Sequence, residues 1–440
     1  MTTPSISTLD HTRSSAKMAE ARLVTPGGIN TSIRKIPIDI VFERAEGAYL
    51  WDVDGNRYLD YHAAFGPPIL GHSHPAVNAA VIDAIQRLDL TGSGTSQYEI
   101  DVARKIVEHV PSAELVHLCN TGSEATYHAL RLARAHTGRH KLVKFQGTYH
   151  GSHDYLLMNI LSPAEKIGQK DPASTGMLPA AIENTTVLDF NDLDAVEREL
   201  RTRAYAAIIL EPIPHNMGCV LPTQAFAKGL QQICDATGTV LIFDEVITGF
   251  RHGLGGYQEK LGVTPDLTSL AKAMANGYPC AAIAGKRELM MQFATAGGPV
   301  FFAGTYNGHP VGAAAAIATI AALEDGAVYT HIFDLGDYVR DGLAEIGARL
   351  GLPLTVTGYG SVFVPYFMDP EAGLPQNYTD LLRNDNEKDQ AFRLGMVERG
   401  IFMCPLAMKR NHISAAHSKA DVDHTLEVAE DVLRGIKSSA

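Results

Sequence analysis

Hydrophobic and polar positions alternate between residues 39 and 61, in "DIVFERAEG", "AYLWDVDGN" and "RYLDYH", with Gly47 and Asp54-Gly55 at the breaks. Period-two alternation interrupted by Asp-Gly predicts a small antiparallel meander. From about Pro75 the pattern changes to helical stretches alternating with short apolar runs. "AELVHLC" (113–119) precedes a Gly/Ser turn and the helical "EATYHALRLARAH", and "KLVKF" (141–145) reads as a further strand. "YAAIILEPI" (205–213) and "TVLIFDEVI" (239–247) are nearly unbroken aliphatic runs, as in strands covered on both faces. Between them "PTQAFAKGLQQICDATG" opens on Pro222 and closes on Gly238, which predicts a helix. Strand–helix–strand repeated in this way implies a parallel sheet with helices on both sides. An Ala-rich helix from about Pro310 to Glu324 follows a turn-rich segment, and residues 325–440 mix helices with strands such as "PLTVTGYGSVFVPYF".

Composition narrows the setting. A chain of 440 residues with 45% hydrophobic and 20% charged residues can bury a large core and divide into two or three domains. Its formal net charge of −12 argues against a nucleic-acid or anionic-membrane surface, so any phosphate site must be local. The five cysteines (Cys119, Cys219, Cys234, Cys280, Cys404) lack CxxC spacing and read as thiols of a reducing compartment. The start, "MTTPSISTLDHTRSS", lacks the apolar core of a signal peptide, and the apolar run from Val311 to Leu323 is too short to span a bilayer. A cytoplasmic location is the expectation.

Three features suggest chemistry. In "CNTGSEAT" (119–126), small residues between a strand and a helix offer free amides to an anion, with Thr121 and Ser123 adding hydroxyls; simple helix capping explains the same letters. Asp244 closes the aliphatic run "LIFDEVITGF" at a strand end, the edge where open α/β sheets bind ligands, and Glu211 in "IILEPI" occupies the matching place of another strand. Lys272, in "LTSLAKAMANGYP", has no charged neighbour in sequence; a buried ammonium must pair, shift its pKa or react, unless it snorkels to solvent. An anion site, a strand-end carboxylate and a lysine in apolar company are what pyridoxal 5′-phosphate requires for its phosphate, its ring nitrogen and its aldehyde. Tyr149 in "FQGTYHG" is a candidate to stack on the ring, with core packing as the plainer reading. His72 with His74, and His150 with His153, lack an acid at ligand spacing; no metal is expected, and these read as loop or packing histidines.

The motifs "TPGGINTSIR", "ILGHSHP", "NTGSEAT", "GTYHG", "LEPIPHNMG", "IFDEVITGFR", "PDLTSLAKAMANGYP" and "AGTYNGHP" occur in one order from about Leu23 onward. In this the chain resembles the class III aminotransferases of the fold-type I pyridoxal-phosphate superfamily, and is most similar to the branch containing glutamate-1-semialdehyde 2,1-aminomutase. The resemblance implies an α/β fold with a mainly parallel seven-stranded sheet sandwiched by helices. A smaller α+β domain would come from the N- and C-terminal segments. The divisions expected are an N-terminal segment with the meander (1–66), a large cofactor domain (67–318) and a small C-terminal domain (319–440). It also implies that Lys272 forms the Schiff base and carries the proton, with Asp244 on the pyridine nitrogen and Val246 and Tyr149 on the two ring faces. Gly122 and Ser123 would bind the phosphate, Asn216 would lie near the ring hydroxyl, and Glu211 would support the site. Thr305 would reach the phosphate of a neighbouring subunit, making a homodimer with shared active sites. Arg34 would grip a substrate carboxylate, physically a bidentate guanidinium pair.

Two positions depart from that pattern. Phe65 stands where the aminomutases often carry Trp, and in "CPLAMKRNHISAAH" the place of a glutamate falls on Lys409. A cation there would favour an anionic substrate group. The resulting expectation is an intermolecular aminotransferase of ping-pong type, passing an amino group from a carboxylate-bearing amine (β- and ω-amino acids included) to a keto acid or aldehyde. The alternative is the aminomutase, or another isomerase or lyase on the same scaffold. The segment from Leu161 to Met177, with Pro, Gly and charges and no periodicity, is a candidate lid.

Overall fold

In the computed structural model, which describes residues 9–438, the strands in chain order are β1 (Phe42–Glu46), β2 (Tyr49–Asp52), β3 (Arg57–Asp60), β4 (Leu115–Cys119), β5 (Lys141–Phe145), β6 (Thr185–Leu188) and β7 (Tyr205–Leu210). They continue with β8 (Val240–Glu245), β9 (Leu267–Leu270), β10 (Ala281–Gly285), β11 (Leu354–Tyr359), β12 (Val362–Phe367), β13 (Ile401–Phe402) and β14 (Asn411–His412). Part of the polar stretch at the start of the chain, residues 1–8, lies outside the described residues.

The central sheet has seven strands in the order β4-β10-β9-β8-β7-β5-β6. All neighbours run parallel except β10, which is antiparallel to both β4 and β9. Every residue of β7 and β8 is buried. Alternate side chains feed opposite layers: Ile208, Leu210, Leu241 and Phe243 pack in one cluster, and Ala207, Ile209, Val240 and Ile242 in another. Burial on both faces is why these strands read as continuous apolar runs, each large aliphatic side chain contributing roughly 1.5–3 kcal/mol. The helix Gly122–Thr137 packs across β7 to β10, and the helix Gln224–Thr237, capped by Thr223 and ended by left-handed Gly238, packs against β8.

The meander β1–β3 is antiparallel, and β13 joins it in parallel beside β3, pairing Ile401 with Leu59. N- and C-terminal segments thus share one small sheet. β11 and β12 form a hairpin extended by β14, against which the helix Ala327–Leu350 packs. The Ala-rich helix runs Pro310–Leu323, so the boundary expected at 318/319 falls inside a helix. Among the described residues no single helix is long and apolar enough to cross a membrane.

Topology places the site. β4, β5, β7, β8 and β9 point the same way, so residues just past their carboxyl ends gather at one edge of the sheet.

Candidate active site

Eleven residues from five of these strand ends enclose a cavity of about 140 Å³. Beyond β4, the chain turns into the helix Gly122–Thr137 through a capping box: Thr121 Oγ1 accepts the Glu124 amide at 3.2 Å and Glu124 Oε2 accepts the Thr121 amide at 2.9 Å. Capping does not use up the helix start, because the amides of Gly122 and Ser123 have no acceptor among the described residues and could take an anion. Gly122 packs directly against Val246: a Cβ there would lie 2.8 Å from Val246 Cγ2.

Asp244 at the end of β8 is 4% exposed. Its Oδ2 receives His150 Nδ1 at 2.8 Å, and its Oδ1 accepts the Val246 amide at 3.1 Å. The Nε2 of His150 is buried without a partner. His150 is therefore no packing histidine, contrary to the expectation from sequence: it orients a buried carboxylate. His153 bonds Thr126 Oγ1 at 3.2 Å, and His72 pairs with Asp60 at 2.7 Å, so these three histidines each have a specific bond. A different cluster, His11 with Asp52 and Asp54, brings ligand-type atoms within 4.8 Å, but both carboxylates are engaged by backbone amides.

Glu211, one residue past β7, accepts the Tyr149 amide and Asn216 Nδ2 on Oε1, each at 2.9 Å, and the His215 amide on Oε2 at 3.1 Å. Burial raises its pKa, opposed by the nearby His150. Tyr149 is half-buried in the cavity wall, and burial raises its phenol pKa.

Lys272 follows β9 at φ +50°, a left-handed conformation that costs a non-glycine residue about 1–3 kcal/mol. Its Nζ has no hydrogen-bond partner among the described residues. Burial, reinforced by the Arg410 charge, pulls its pKa down to about 7. A substantial share of the amine is thus unprotonated near pH 7.

The remaining predicted residues lie elsewhere. Arg34 is exposed on the turn Ser32–Arg34 and lines a second, larger cavity of about 530 Å³ together with Phe65, His62 and Phe402. Thr305 is exposed in a third cavity of about 270 Å³ beside Ser96, Glu99 and Asn307. Neither reaches the cofactor-sized cavity of its own chain. Lys409 is half-buried; burial and Arg410 lower its pKa to about 8, opposed in part by Glu211.

Sequence reading passed over Arg410. Its guanidinium is 4% exposed and donates to the carbonyls of His215 at 3.0 Å and Phe65 at 3.1 Å and to Asn216 Oδ1 at 3.4 Å, linking the walls of the two cavities. Arg251, wholly buried, donates to the Gly66 carbonyl. Between them they hold Ala63, Ala64 and Phe65, three consecutive non-glycine residues with φ of +47°, +48° and +72°. No local pattern marks such a turn.

Residues 31–405 match the family model described as "Aminotransferase class-III". The chain belongs to the class-III aminotransferase family. It is 41% identical to a "Glutamate-1-semialdehyde 2,1-aminomutase" of Methanothrix thermoacetophila, over 98% of this chain and 99% of that one. Among solved structures it resembles an omega-transaminase from Sphaerobacter thermophilus (TM-score 0.89, 32% identity, 96% and 97% covered). It also resembles a glutamate-1-semialdehyde-aminomutase from Pseudomonas aeruginosa in complex with PMP (TM-score 0.87, 26% identity, 96% and 94% covered). The protein is accordingly a pyridoxal-phosphate enzyme of fold type I. The small cavity fits that cofactor: two open amides, a bonded buried carboxylate and an unpaired amine face one space.

These relatives correct one expectation. The intermolecular aminotransferase was favoured on the charge of Lys409, and it is overturned by aminomutase relatives at 41–42% identity over nearly the whole chain. The physical weakness lay in the charge itself. Lys409 sits where burial and a neighbouring guanidinium both disfavour its ammonium, so it discriminates poorly between substrates.

Proposed function

We propose that the protein is a glutamate-1-semialdehyde 2,1-aminomutase, moving the amino group of its substrate from C2 to C1. Atoms balance without a second substrate: the aldehyde and the adjacent amine exchange places, giving 5-amino-4-oxopentanoate. The reading rests on full-length similarity to relatives of that name together with a cavity suited to pyridoxal phosphate. When bound, the cofactor supplies an electron-withdrawing ring that eases loss of a proton from the carbon beside the amine. The chain's own residues do the rest.

Lys272 would hold the cofactor covalently through Nζ, and its amine is the group placed to take and return a proton in the cavity. Its lowered pKa leaves it partly unprotonated near pH 7, as a base requires. Asp244 would hold the proton of the ring nitrogen, with His150 fixing the carboxylate. Tyr149 and Val246 would flank the ring, Gly122 and Ser123 would take the phosphate at the helix start, and Asn216, tied to Glu211, would serve the ring hydroxyl. Arg34, exposed in the lining of the outer cavity, takes the substrate carboxylate, with Phe65 on the same lining and Lys409 outside it. Thr305, exposed and away from its own chain's cavity, serves the phosphate of a second copy, which makes a homodimer the working unit.

The deciding experiment incubates purified holoenzyme with glutamate 1-semialdehyde alone. Formation of 5-amino-4-oxopentanoate without any keto acid is the expected result. Turnover that begins only when pyruvate or 2-oxoglutarate is added would sink the proposal.

A further inference from the structure

Lys144 lies in β5 and its side chain is wholly buried, yet no carboxylate touches it. Three backbone carbonyls converge on Nζ instead: Thr148 at 2.9 Å, Leu156 at 3.1 Å, and Met158. Three acceptors match the three N–H donors of an ammonium, whereas a neutral amine has two. All three carbonyls belong to the irregular segment that follows β5 and carries Tyr149 and His150 into the cofactor cavity.

The Thr148 carbonyl and the Tyr149 amide are two ends of one peptide unit. The carbonyl oxygen faces the Lys144 ammonium, and the amide N–H donates to Glu211 Oε1 at 2.9 Å. Glu211 is 2% exposed. One peptide is therefore held between a buried cation on its oxygen and a buried carboxylate on its nitrogen. That arrangement aligns the peptide dipole with both charges, in an interior where such bonds are strong and unpaired charges are costly.

We infer that Lys144 and Glu211 form an ion pair bridged by the Thr148–Tyr149 peptide, and that this pair positions Tyr149 and His150 against the cofactor. Burial lowers the Lys144 pKa to about 7 and the Glu211 carboxylate opposes that shift, in keeping with the pairing. Both are positioning residues: Lys144 does not line the cavity, and it acts through the segment it anchors. Removing Lys144 alone leaves three carbonyls without their donor and takes from Glu211 the cation at the far end of the peptide, while its own N–H donors remain. Replacing Glu211 by Gln as well removes the second charge of the pair.

A double-mutant cycle with Lys144→Met, Glu211→Gln and the double variant tests this, read as the rate at which holoenzyme loses pyridoxal phosphate on dilution. K144M is expected to speed loss about 100-fold and E211Q about 10-fold, with the double variant no worse than K144M, a coupling of about tenfold. Multiplying effects, near 1000-fold in the double variant, would overturn the pair. A K144M protein that fails to fold while the double variant folds would support it. Should neither fold, hydrogen exchange over residues 146–151 decides between wild-type and E211Q holoenzyme. A Tyr149 amide protected like a strand amide in wild type and released at least tenfold by E211Q supports the bridge. Exchange at ordinary loop rates in both overturns it.

Discussion

The cofactor cavity and the outer cavity beside Arg34 are built on different principles. The first lies at strand ends of the central sheet, and its polar groups are bonded to one another or left open in a set matching one cofactor. The second lies between the N-terminal turns, the meander and the segment 402–405, and is lined by Ile29, Ile36, Ile38, Ile40 and Phe402 with Arg34 at its rim. A rigid sheet edge places chemistry. The outer cavity is built between chain segments far apart in sequence and meets that edge through Arg410.

Substitutions should separate the two regions. The largest effect belongs to Lys272→Ala, which should lower turnover at least ~1000-fold and remove the visible absorbance of the lysine-bound cofactor. A variant keeping more than a tenth of the wild-type rate would break the assignment. Protonation of the same amine gives a pH signature. Apo-protein should capture pyridoxal phosphate faster as pH rises, because only the neutral amine reacts, with half-maximal rate near a pKa of about 7. Stopped-flow absorbance would show it, and a midpoint near that of an ordinary lysine would contradict the buried site.

Asp244→Asn should cost about 100-fold in kcat. His150→Ala should cost about 10-fold, since it only orients that carboxylate. Equal losses would mean His150 does more than orient. On the outer side, Arg34→Ala should raise KM about tenfold with kcat nearly unchanged, as expected for a group binding substrate and transition state alike. A fall in kcat instead would merge the two regions. The smallest effect is Thr121→Ala, which removes a helix cap and should lower unfolding free energy by about 1 kcal/mol in a denaturant titration.

Much of the cofactor region was legible because its residues follow recognisable strand and helix signals. Asp244 stands near the end of β8 and the small residues of 121–123 open a helix, each visible in a short window, whereas Lys272 was marked by its apolar company and not by the strand β9 before it. His150 was misread because its partner is 94 residues away, and nothing near it in sequence announces Asp244. Lys144 hid in an apolar strand, where its three carbonyl partners leave no trace in residue type. The outer cavity was least legible. Its left-handed turn at 63–66 contains only one glycine and is held by Arg251 and Arg410, which are 185 and 345 residues from the carbonyls they bind.

By itself the sequence marked the meander, the apolar runs that become β4, β5, β7 and β8, the helix between β7 and β8, and the acids near those strand ends, because those depend on periodicity and nearest neighbours. Only the tertiary structure decided which of those ends share an edge, which buried charges face each other, and that Arg34 and Thr305 lie outside their own chain's cofactor cavity. The reason is physical. A hydrogen bond or ion pair between distant segments forms once the sheet has closed and excluded water, and its partners carry no local mark of each other beforehand.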